Sequence, residues 1–443
     1  MFDKKQVRIQ IGLLLGLAAI LRVVYFVLTY SHLGDGGLWT VFYDTDKYRL
    51  AASQVLSEYT AAAGTEDYLF LVGPGYPVMV AALRILFGSG AVYVCMLSNI
   101  AGVLAPILVY LIALNLRLPK TVAFIAGIIG AISTTSLALS SAILSNQPFF
   151  ALMAASLLCL IIGLNGRKYI WFIVSGLIAG MAVYFRGTAQ FWWLALIFIA
   201  LAIPIKDRFK SRLDLLKKAC ISSGIILIFI LAWSARNYFV HDVFVFSGNA
   251  VQSARIYLAA KAVADHTENA GVLDIRQEWS DEDDEFFGPE KPTAGQQYAR
   301  AAEQFTLVFR NHPGWIVMAY FVIVKGNILA GNHLPLSQIP ALNGLWRRLI
   351  LINGKWLAHL IFYLTLLGLL FLIIDRHYLS SVILGTFYAY FTLVTGFSFW
   401  QGSRLYFTTE IASSIFVAYA VYRIWRFSGI IIIRLRRRLG QSL

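Results

Sequence analysis

The sequence predicts an all-α polytopic membrane protein with about ten or eleven transmembrane helices and two large exterior loops that carry interfacial helices. Hydrophobic residues make up 59% of its 443 residues, and charged residues make up only 14%. A water-soluble protein carries about 25% charged residues, so most of this chain cannot face water. Apolar stretches long enough to cross about 30 Å of hydrocarbon recur along the whole chain.

These apolar stretches predict ten membrane crossings. The first is too long for the apolar core of a signal peptide and lacks a small-residue cleavage site, so we expect a retained anchor. Ten crossings, an even number, place both termini on the same side of the membrane. The predicted crossings cover residues 9–30, 91–115, 121–142, 148–164, 169–185, 189–205, 219–237, 352–374, 379–396 and 405–423.

The distribution of charge predicts the orientation of the chain. Basic residues cluster at 4–8, 206–218 and 434–438, and such clusters stay on the cytoplasmic side. Ten of the 23 acidic residues lie within 265–290, and six lie within 35–67. We therefore expect an inner (plasma) membrane protein with cytoplasmic termini, whose acidic loops and active site lie on the exterior (periplasmic) face.

Two apolar segments complicate the count of crossings. A crossing at residues 74–88 would move the basic block at 206–218 outside, so we expect this segment to form a helix along the exterior interface. A crossing at residues 313–330 would expose the C-terminal arginines, and it is the alternative that gives eleven crossings.

The predicted organisation has three parts. Residues 1–235 form an N-terminal transmembrane module with the first exterior loop at 31–90. Residues 236–350 form the second exterior loop with an interfacial or membrane helix, and residues 351–443 supply the C-terminal transmembrane helices and a basic tail. Exterior loops of this length are usually functional or disordered.

Composition excludes several classes of function. The net charge of +14 does not indicate nucleic-acid binding, because the basic residues lie at helix ends and in short loops rather than on one soluble face. The acidic run at 281–285 lacks the spacing of a calcium loop and predicts a solvated face. No phosphate-binding glycine loop, CxxC pair or HExxH motif occurs. The cysteines lie in apolar segments and predict packing residues: Cys95, Cys159 and Cys220.

The first exterior loop offers two candidate catalytic acids, Asp44 and Asp46, directly after the first crossing. The neighbouring Lys47 and Arg49 favour the ionised carboxylate. Such a carboxylate can act as general base on an acceptor hydroxyl or amine. Asp35 is the candidate if the loop folds back on itself, and the alternative is a loop whose acids are only solvated.

Three arginines at predicted exterior helix ends, Arg186, Arg236 and Arg404, are candidates to bind a phosphate. A guanidinium forms multidentate, charge-assisted hydrogen bonds with phosphate oxygens. The alternative is that each arginine contacts lipid headgroups. Glu410 lies inside the last predicted crossing, where an ionisable group indicates function unless Arg404 merely neutralises it.

Short motifs also follow one another in a fixed order along most of the chain. They are residues 44–48 (DTDKY), 73–77 (GPGYP), 86–88 (LFG), 184–188 (YFRGT), 233–238 (WSARNY), 245–249 (VFSGN), 310–313 (RNHP) with Lys325, and 404–406 (RLY) with Glu410. In this order they resemble the motifs of GT-C glycosyltransferases, in particular the protein-mannosyltransferase and aminoarabinose-transferase branch.

The resemblance implies a GT-C-like fold and direct displacement at the anomeric carbon of a lipid-phosphate sugar, usually with inversion. The aspartate that serves as base corresponds to Asp44. Asp46 remains the second candidate for this role. The donor phosphate is expected to contact Lys47, Arg186, Arg236 and Arg404, and the candidate substrate-binding residues are Tyr48, Tyr76, Asn237, Tyr406 and Glu410.

The chain also departs from the family pattern at two places. Relatives of the aminoarabinose branch carry a lysine where this chain has Gly73, so one phosphate contact is missing or comes from elsewhere. Many relatives carry an acid in the short loop between the predicted crossings at 121–142 and 148–164. This chain has Ser145, Asn146 and Gln147 there. The sequence therefore predicts no divalent metal and no other cofactor.

The predicted function is a glycosyltransferase that takes its sugar from a polyprenyl-phosphate donor, such as undecaprenyl phosphate, at the exterior face. The predicted acceptor is a lipid, a glycan or a protein, and the other partners are membrane lipids, with no nucleic acid. The alternatives are a lipid or polysaccharide transporter, an O-antigen polymerase or ligase, and a homologue that has lost catalysis. A transporter would more typically show repeated halves and helices broken near the midplane.

Overall fold

The structure is a computed structural model. It describes residues 4–40, 43–56, 67–166, 168–204, 211–268, 270–289, 292–329, 345–398 and 403–438. The described residues are almost entirely helical and contain no β-strand, which confirms the predicted all-α polytopic class.

Twenty α-helices follow one another along the described parts of the chain. They are α1 (Lys4–Thr40), α2 (Tyr43–Val55), α3 (Tyr68–Val72), α4 (Gly75–Phe87), α5 (Ala91–Asn115), α6 (Lys120–Ile132), α7 (Thr134–Ser140), α8 (Asn146–Gly166), α9 (Tyr169–Phe185), α10 (Trp192–Ala202), α11 (Arg212–His241), α12 (Asn249–Ser253), α13 (Ala260–Ala264), α14 (Val272–Phe287), α15 (Ala294–Asn311), α16 (Pro313–Leu329), α17 (Leu345–Ile374), α18 (Tyr378–Val394), α19 (Ser403–Tyr406) and α20 (Glu410–Arg438).

Seven stretches of these helices are long and apolar enough to cross a membrane. They lie in α1, α5, α8, α11, α17, α18 and α19–α20. Two bent pairs, α6 with α7 and α15 with α16, would raise the number among the described residues to nine. α4, α9 and α10 are apolar but shorter.

The predicted crossings coincide with these elements, but those at 169–185 and 189–205 coincide with the shorter helices α9 and α10, which are not among the candidate spans. Two further differences concern the shape of the helices. α1 continues to Thr40, so the segment predicted as loop from residue 31 begins as helix, with a kink at Gly34, whose φ of 62° suits a residue without Cβ. The predicted crossing at 121–142 is not one straight helix, because α6 and α7 meet at 51°. Ser133 caps α7 at this break by accepting a hydrogen bond from the Ser136 amide.

The remaining predicted segments are helical. The segment 74–88 contains α4 (Gly75–Phe87), with Pro74 and Gly88 as its caps; its place along the exterior interface stays a prediction. Residues 313–330 contain α16, which turns 107° away from α15. The eleventh crossing therefore depends on how this bent pair meets the bilayer.

The helices pack closely because small residues lie where they cross. A Cβ at Gly176 of α9 would overlap the main chain of Ser222 on α11, and one at Gly368 of α17 would overlap the main chain of Phe416 on α20. Small residues at such crossings let membrane helices approach until their backbones make contact. The resulting core joins the helices that end beside the candidate site.

The segment predicted as the second exterior loop forms a smaller lobe of its own. Leu258, Ala262 and Ile323 belong to a separate apolar cluster. α14, which contains the acidic run, is tied to this lobe by the pairs Arg255–Asp283 at 2.6 Å and Arg300–Asp283 at 3.3 Å. At least part of the acidic run is thus a paired helix face rather than only a solvated one.

The two segments that were predicted as exterior loops contact each other. The Gly248 amide donates to the Phe70 carbonyl at 3.0 Å, and the Ser247 hydroxyl donates to the Leu71 carbonyl at 2.6 Å. Gly73, with a φ of 78°, brings this segment within reach of the α9 end, where a Cβ would lie 3.2 Å from the Tyr184 carbonyl. Both loops are therefore anchored at the same end of the helix bundle.

Labelling with a membrane-impermeant thiol reagent tests the predicted orientation. In a cysteine-free background, Ser280→Cys on α14 should react in intact cells because the acidic loop faces outward. Leu213→Cys on α11, next to the basic block, is exposed at 60% but should react only after the membrane is opened. The opposite pattern would invert the topology.

Candidate active site

An ion pair between Asp44 and Arg404 forms the centre of the candidate site. Nη2 of Arg404 lies 2.5 Å from Oδ2 of Asp44, and the two side chains are 10% and 28% exposed. Nε of Arg404 also donates to Oδ1 of Asn146 at 3.3 Å, and Nδ2 of Asn146 donates back to the Arg404 carbonyl at 3.2 Å. Three segments far apart in sequence thus meet at one guanidinium.

Helix ends supply all three partners. Asp44 lies in the first turn of α2, Asn146 begins α8 and Arg404 lies in the short α19 that leads into α20. The first turn of a helix favours a carboxylate because the amides there are unpaired and the helix dipole is positive. The amide ends of α2 and α8 therefore make this end of the bundle favourable for negative charge.

The Asp44 carboxylate is held in its ionised form. Burial opposes ionisation, but the charge and hydrogen bond of Arg404, together with the charges of Lys47 and Arg186, outweigh it, so the pKa of Asp44 lies below its ordinary value. At neutral pH the group is consequently a hydrogen-bond acceptor and not a donor.

Arg186 brings a second guanidinium to the same place. It follows the last residue of α9, and its charge interacts with Asp44, Arg404 and Tyr48. The guanidinium carbon lies 6.0 Å from the centre of the Phe149 ring on α8. Its Nη1 atom is buried and has no hydrogen-bond partner among the described residues, which leaves a donor for an anionic ligand.

Two tyrosines predicted to bind substrate line the site. The Tyr48 hydroxyl lies 2.8 Å from Oγ of Ser145, and its ring packs edge-on against Tyr76 at 4.7 Å. Tyr76 in turn packs against Phe185, the residue before Arg186, at 6.3 Å. These aromatic contacts fix α2 and α4 against the ends of α8 and α9.

The other two acidic candidates lie elsewhere. Oδ1 of Asp46 pairs with Nη2 of Arg49 at 3.0 Å on the outer face of α2, and its side chain is 54% exposed. Oδ1 of Asp35 accepts a hydrogen bond from the Val92 amide at 3.2 Å, at the start of α5. Among these three acids, Asp44 is thus the one that contacts a candidate phosphate-binding arginine in the described part of the chain.

Arg236 is occupied in a second cluster. Its Nη2 lies 2.9 Å from Oδ2 of Asp67, which also lies 2.7 Å from Nε2 of His241. Oδ1 of Asp67 accepts from the amides of Leu69 and Phe70 and so caps α3. Burial again opposes ionisation, but the bonds from His241 and Arg236 prevail and lower the pKa of Asp67.

Asn237 organises the second exterior loop. Its Nδ2 donates to the carbonyls of Val245 and Phe246 at 2.8 and 3.1 Å, and its Oδ1 accepts from Arg236. The amide of this fully buried residue is already engaged by the protein. Asn237 therefore holds this loop in shape, and its predicted contact with substrate stays a prediction.

The last two predicted substrate-binding residues also have partners. The Tyr406 hydroxyl donates to the Tyr388 hydroxyl. Glu410 accepts hydrogen bonds from Ser133 and Thr135 and lies near the charge of Arg22. The alternative that Arg404 neutralises Glu410 fails, because Arg404 pairs with Asp44 and the cation near Glu410 is Arg22.

Arg22 was not recognised as a candidate in the sequence. It is 1% exposed in the middle of α1; its Nη1 donates to the Ala131 carbonyl at 3.3 Å, and its Nη2 donates to Oγ of Ser136 at 2.7 Å. These two acceptors flank the break between α6 and α7. The sequence did contain a signal for this position, since Arg22 is a lone arginine within an apolar stretch. Such residues usually face the interior of the bundle and contact a partner there.

Comparison with known proteins supports the fold. Residues 72–235 match the family described as dolichyl-phosphate-mannose-protein mannosyltransferase. The apo oligosaccharyltransferase of Archaeoglobus fulgidus superposes with a TM-score of 0.54 at 14% identity, over 98% of this chain and 52% of that chain. The chain has a GT-C-like fold. The fold expected from the ordered motifs is thereby confirmed.

Other GT-C structures match less closely. The oligosaccharyltransferase AglB of A. fulgidus with an inhibitory peptide and a dolichol-phosphate gives a TM-score of 0.49 at 14% identity, over 96% of this chain and 52% of that chain. ArnT of Cupriavidus metallidurans bound to undecaprenyl phosphate gives 0.38 at 14% identity, over 92% and 78%. This chain spans about half the length of the oligosaccharyltransferase. No curated protein sequence matches it.

Metal ligands are not grouped in the described part of this GT-C-like chain. No set of three His, Cys, Asp or Glu side chains within it lies close enough to hold a metal ion. At the centre of the site, the charge that faces Asp44 is the Arg404 guanidinium.

Paired substitutions test the role of Arg22 and Glu410. Arg22→Met should destabilise the protein by about 1–3 kcal/mol, because the buried Ala131 carbonyl and Ser136 hydroxyl lose their donor and Glu410 loses a nearby positive charge. The double variant Arg22→Met with Glu410→Gln should recover part of this loss because both charges are removed. Thermal unfolding in detergent measures the difference. Strictly additive losses would show that the two groups do not act together.

Proposed function

We propose that this protein is a membrane glycosyltransferase that moves a sugar from a polyprenyl-phosphate carrier to an acceptor at the exterior face. The observation that carries the proposal is the ionised Asp44 carboxylate held beside two guanidinium groups, Arg404 and Arg186, at the end of an apolar bundle. The mannosyltransferase family match over residues 72–235, the GT-C-like fold and the ordered motifs support it.

The phosphate of the carrier fits the positive side of this site. Arg404 and the Nη1 atom of Arg186, which has no hydrogen-bond partner in the described part of the chain, offer donors to phosphate oxygens. Lys47 adds a third positive charge near Asp44. The first amides of α8 lie beside Arg404, and helix N-termini bind phosphate. The polyprenyl chain would then lie along the lipid-facing helices, and no nucleotide pocket is needed.

The reaction follows from this placement. An acceptor oxygen or nitrogen attacks the anomeric carbon while its proton passes to Asp44. The bond between the anomeric carbon and the phosphate oxygen breaks, and the polyprenyl phosphate leaves with the electron pair. The arginines stabilise the negative charge that develops on the leaving phosphate. Attack opposite the leaving group inverts the anomeric centre.

Donor binding also prepares the base. Without donor, Asp44 is the anion that compensates Arg404. A donor phosphate offers Arg404 a second anion, so the carboxylate is held less strongly, its pKa rises and it becomes a better proton acceptor. The low pKa of Asp44 in the structure is therefore consistent with general-base catalysis once the donor is bound.

Arg236 is assigned a different task from the one that the sequence suggested. Its charge is compensated by Asp67, and the cluster with His241 joins the first exterior loop to the end of α11. We therefore assign the phosphate contacts to Arg186 and Arg404 and the joining of the loops to Arg236.

The proposal also covers orientation and partners. Both termini lie in the cytoplasm of an inner-membrane protein, and the acceptor is a lipid, a glycan or a protein that reaches the exterior loops. The broken helix α6–α7 is the feature that would favour a transporter. Arg22 and Glu410 occupy this break and are bound to its backbone and hydroxyl groups, which favours a structural role for the break over a transport pathway.

The variant Asp44→Asn tests the base. The amide keeps the shape of the side chain but cannot take the proton, so turnover with a synthetic polyprenyl-phosphate sugar should fall roughly 10²- to 10⁴-fold. Asp46→Asn is the matched control, because Asp46 pairs with Arg49 on the outer face, and it should keep nearly wild-type turnover. Wild-type rates in Asp44→Asn would exclude this aspartate as the base.

Arginine-to-lysine variants test the assignment of the phosphate contacts. Arg404→Lys and Arg186→Lys should each weaken binding of polyprenyl phosphate roughly 10- to 100-fold, because lysine cannot form the two-pronged guanidinium contact. Arg236→Lys should leave this affinity within a factor of about three, since its partner is Asp67. Binding is measured on the purified chain in nanodiscs. An equal loss in all three would mean that all three arginines bind the phosphate.

A further inference from the structure

Two buried polar side chains next to the Asp44–Arg404 pair have unused hydrogen-bonding atoms. Gln147 is 0% exposed, and neither Nε2 nor Oε1 of its amide has a partner among the described residues. Thr45 is also 0% exposed, and its Oγ1 has no partner there. Buried polar atoms in proteins are nearly always hydrogen-bonded, so each exception needs a physical reason.

Both residues border the candidate active site. Thr45 follows Asp44 and lies three positions before Tyr48, so Thr45 and Tyr48 share one face of α2. The Tyr48 hydroxyl on that face contacts Ser145. Gln147 lies in the first turn of α8, directly after the Asn146 that binds Arg404. The unused atoms thus belong to the two segments that enclose the ion pair.

A purely structural role does not account for these side chains. Where a buried polar group lacks a partner, an apolar group of the same shape is neutral or more stabilising. Methionine would fill the place of Gln147, and valine would fill that of Thr45, with no unsatisfied atom. Polar groups kept at the expense of stability are typical of binding sites.

The chemistry of these atoms specifies the ligand. A carboxamide offers two donors and an acceptor, and a hydroxyl offers one of each. Neighbouring hydroxyl groups of a sugar ring match this mixture because each of them both donates and accepts. The site also carries more positive than negative charge, since Arg404, Arg186 and Lys47 all act on Asp44. A sugar with a protonated amine would be repelled.

We propose that Gln147 and Thr45 form a subsite for a neutral, polyhydroxylated sugar ring on the donor, next to the phosphate-binding arginines. The inference rests on the proposed function, because it supplies the sugar-binding part of the same donor site. It narrows the substrate class to polyprenyl-phosphate sugars that carry no amino group.

Binding of three probes to the full chain in nanodiscs tests the subsite. The probes are polyprenyl phosphate, polyprenyl-phosphate mannose and polyprenyl-phosphate 4-amino-4-deoxyarabinose. Wild-type protein should bind the mannose probe more tightly than bare polyprenyl phosphate, and the amino-sugar probe no more tightly than the bare carrier. The proposal would be overturned if the amino-sugar probe bound more tightly than bare polyprenyl phosphate, or if the mannose probe bound no more tightly than it.

Two variants then locate the sugar contacts. Gln147→Met and Thr45→Val should each weaken binding of the mannose probe roughly 3- to 10-fold and leave binding of bare polyprenyl phosphate unchanged. Neither should lower the melting temperature, because neither breaks a hydrogen bond within the protein. Gln252→Met on α12, outside the site, is the matched control and should change nothing.

The outcomes separate this inference from the proposed function. If no probe binds to the wild-type protein, the proposed function fails and the subsite fails with it. If the probes bind but both variants keep wild-type affinity for the mannose probe, only the subsite is wrong. An equal loss for the mannose probe and the bare carrier would assign these residues to the phosphate instead, and a large fall in melting temperature in both variants would make them structural.

Discussion

The pairing of Asp44 with Arg404 links α2 to the short helix α19 that precedes the last helix. Asn146 extends this contact to α8. Partly buried charges of opposite sign hold each other in place because neither can be exposed alone without losing its partner. The positions of Tyr48 and of the α8 amide end follow from this pair.

The apolar surroundings impose the second constraint. Polar groups inside a bilayer must find partners within the protein, and the break between α6 and α7 frees several of them. Arg22 enters from α1, Glu410 enters from α20, and Gly102 leaves room because a side chain there would overlap Arg22 and Ser140. Helix α20, which carries Glu410, follows the segment that holds Arg404. The contacts of Glu410 at the break between α6 and α7 therefore also help to hold Arg404 in place.

Much of the fold could be predicted from the sequence, because membrane crossings are governed by length and hydropathy alone. Each predicted crossing coincides with helical elements. The break at Ser133 was not predicted. The side chain that binds both of its sides, Arg22, comes from a distant helix, and no local pattern reveals this contact. The predicted end of the first crossing was too early because helix α1 continues past residue 30 into polar sequence.

The candidate site was only partly predictable. Asp44 and Arg404 were recognised individually, but their contact spans the whole chain and depends on the tertiary fold. Arg236 resembled the other two arginines in sequence, and its pairing with Asp67 could not be read from spacing. In the sequence, Gln147 stood out only because many relatives carry an acid in its loop. The lack of a hydrogen-bond partner for its buried amide is visible only in the structure.

A structure of the protein with polyprenyl phosphate bound in a lipid nanodisc tests the central claim most directly, namely that Arg404 exchanges its partner from Asp44 to the carrier phosphate. The account predicts phosphate oxygens within hydrogen-bonding distance of both Arg404 and Arg186, with the Asp44 carboxylate turned toward the acceptor side. A phosphate bound at Arg236, with the Asp44–Arg404 pair intact, would contradict it.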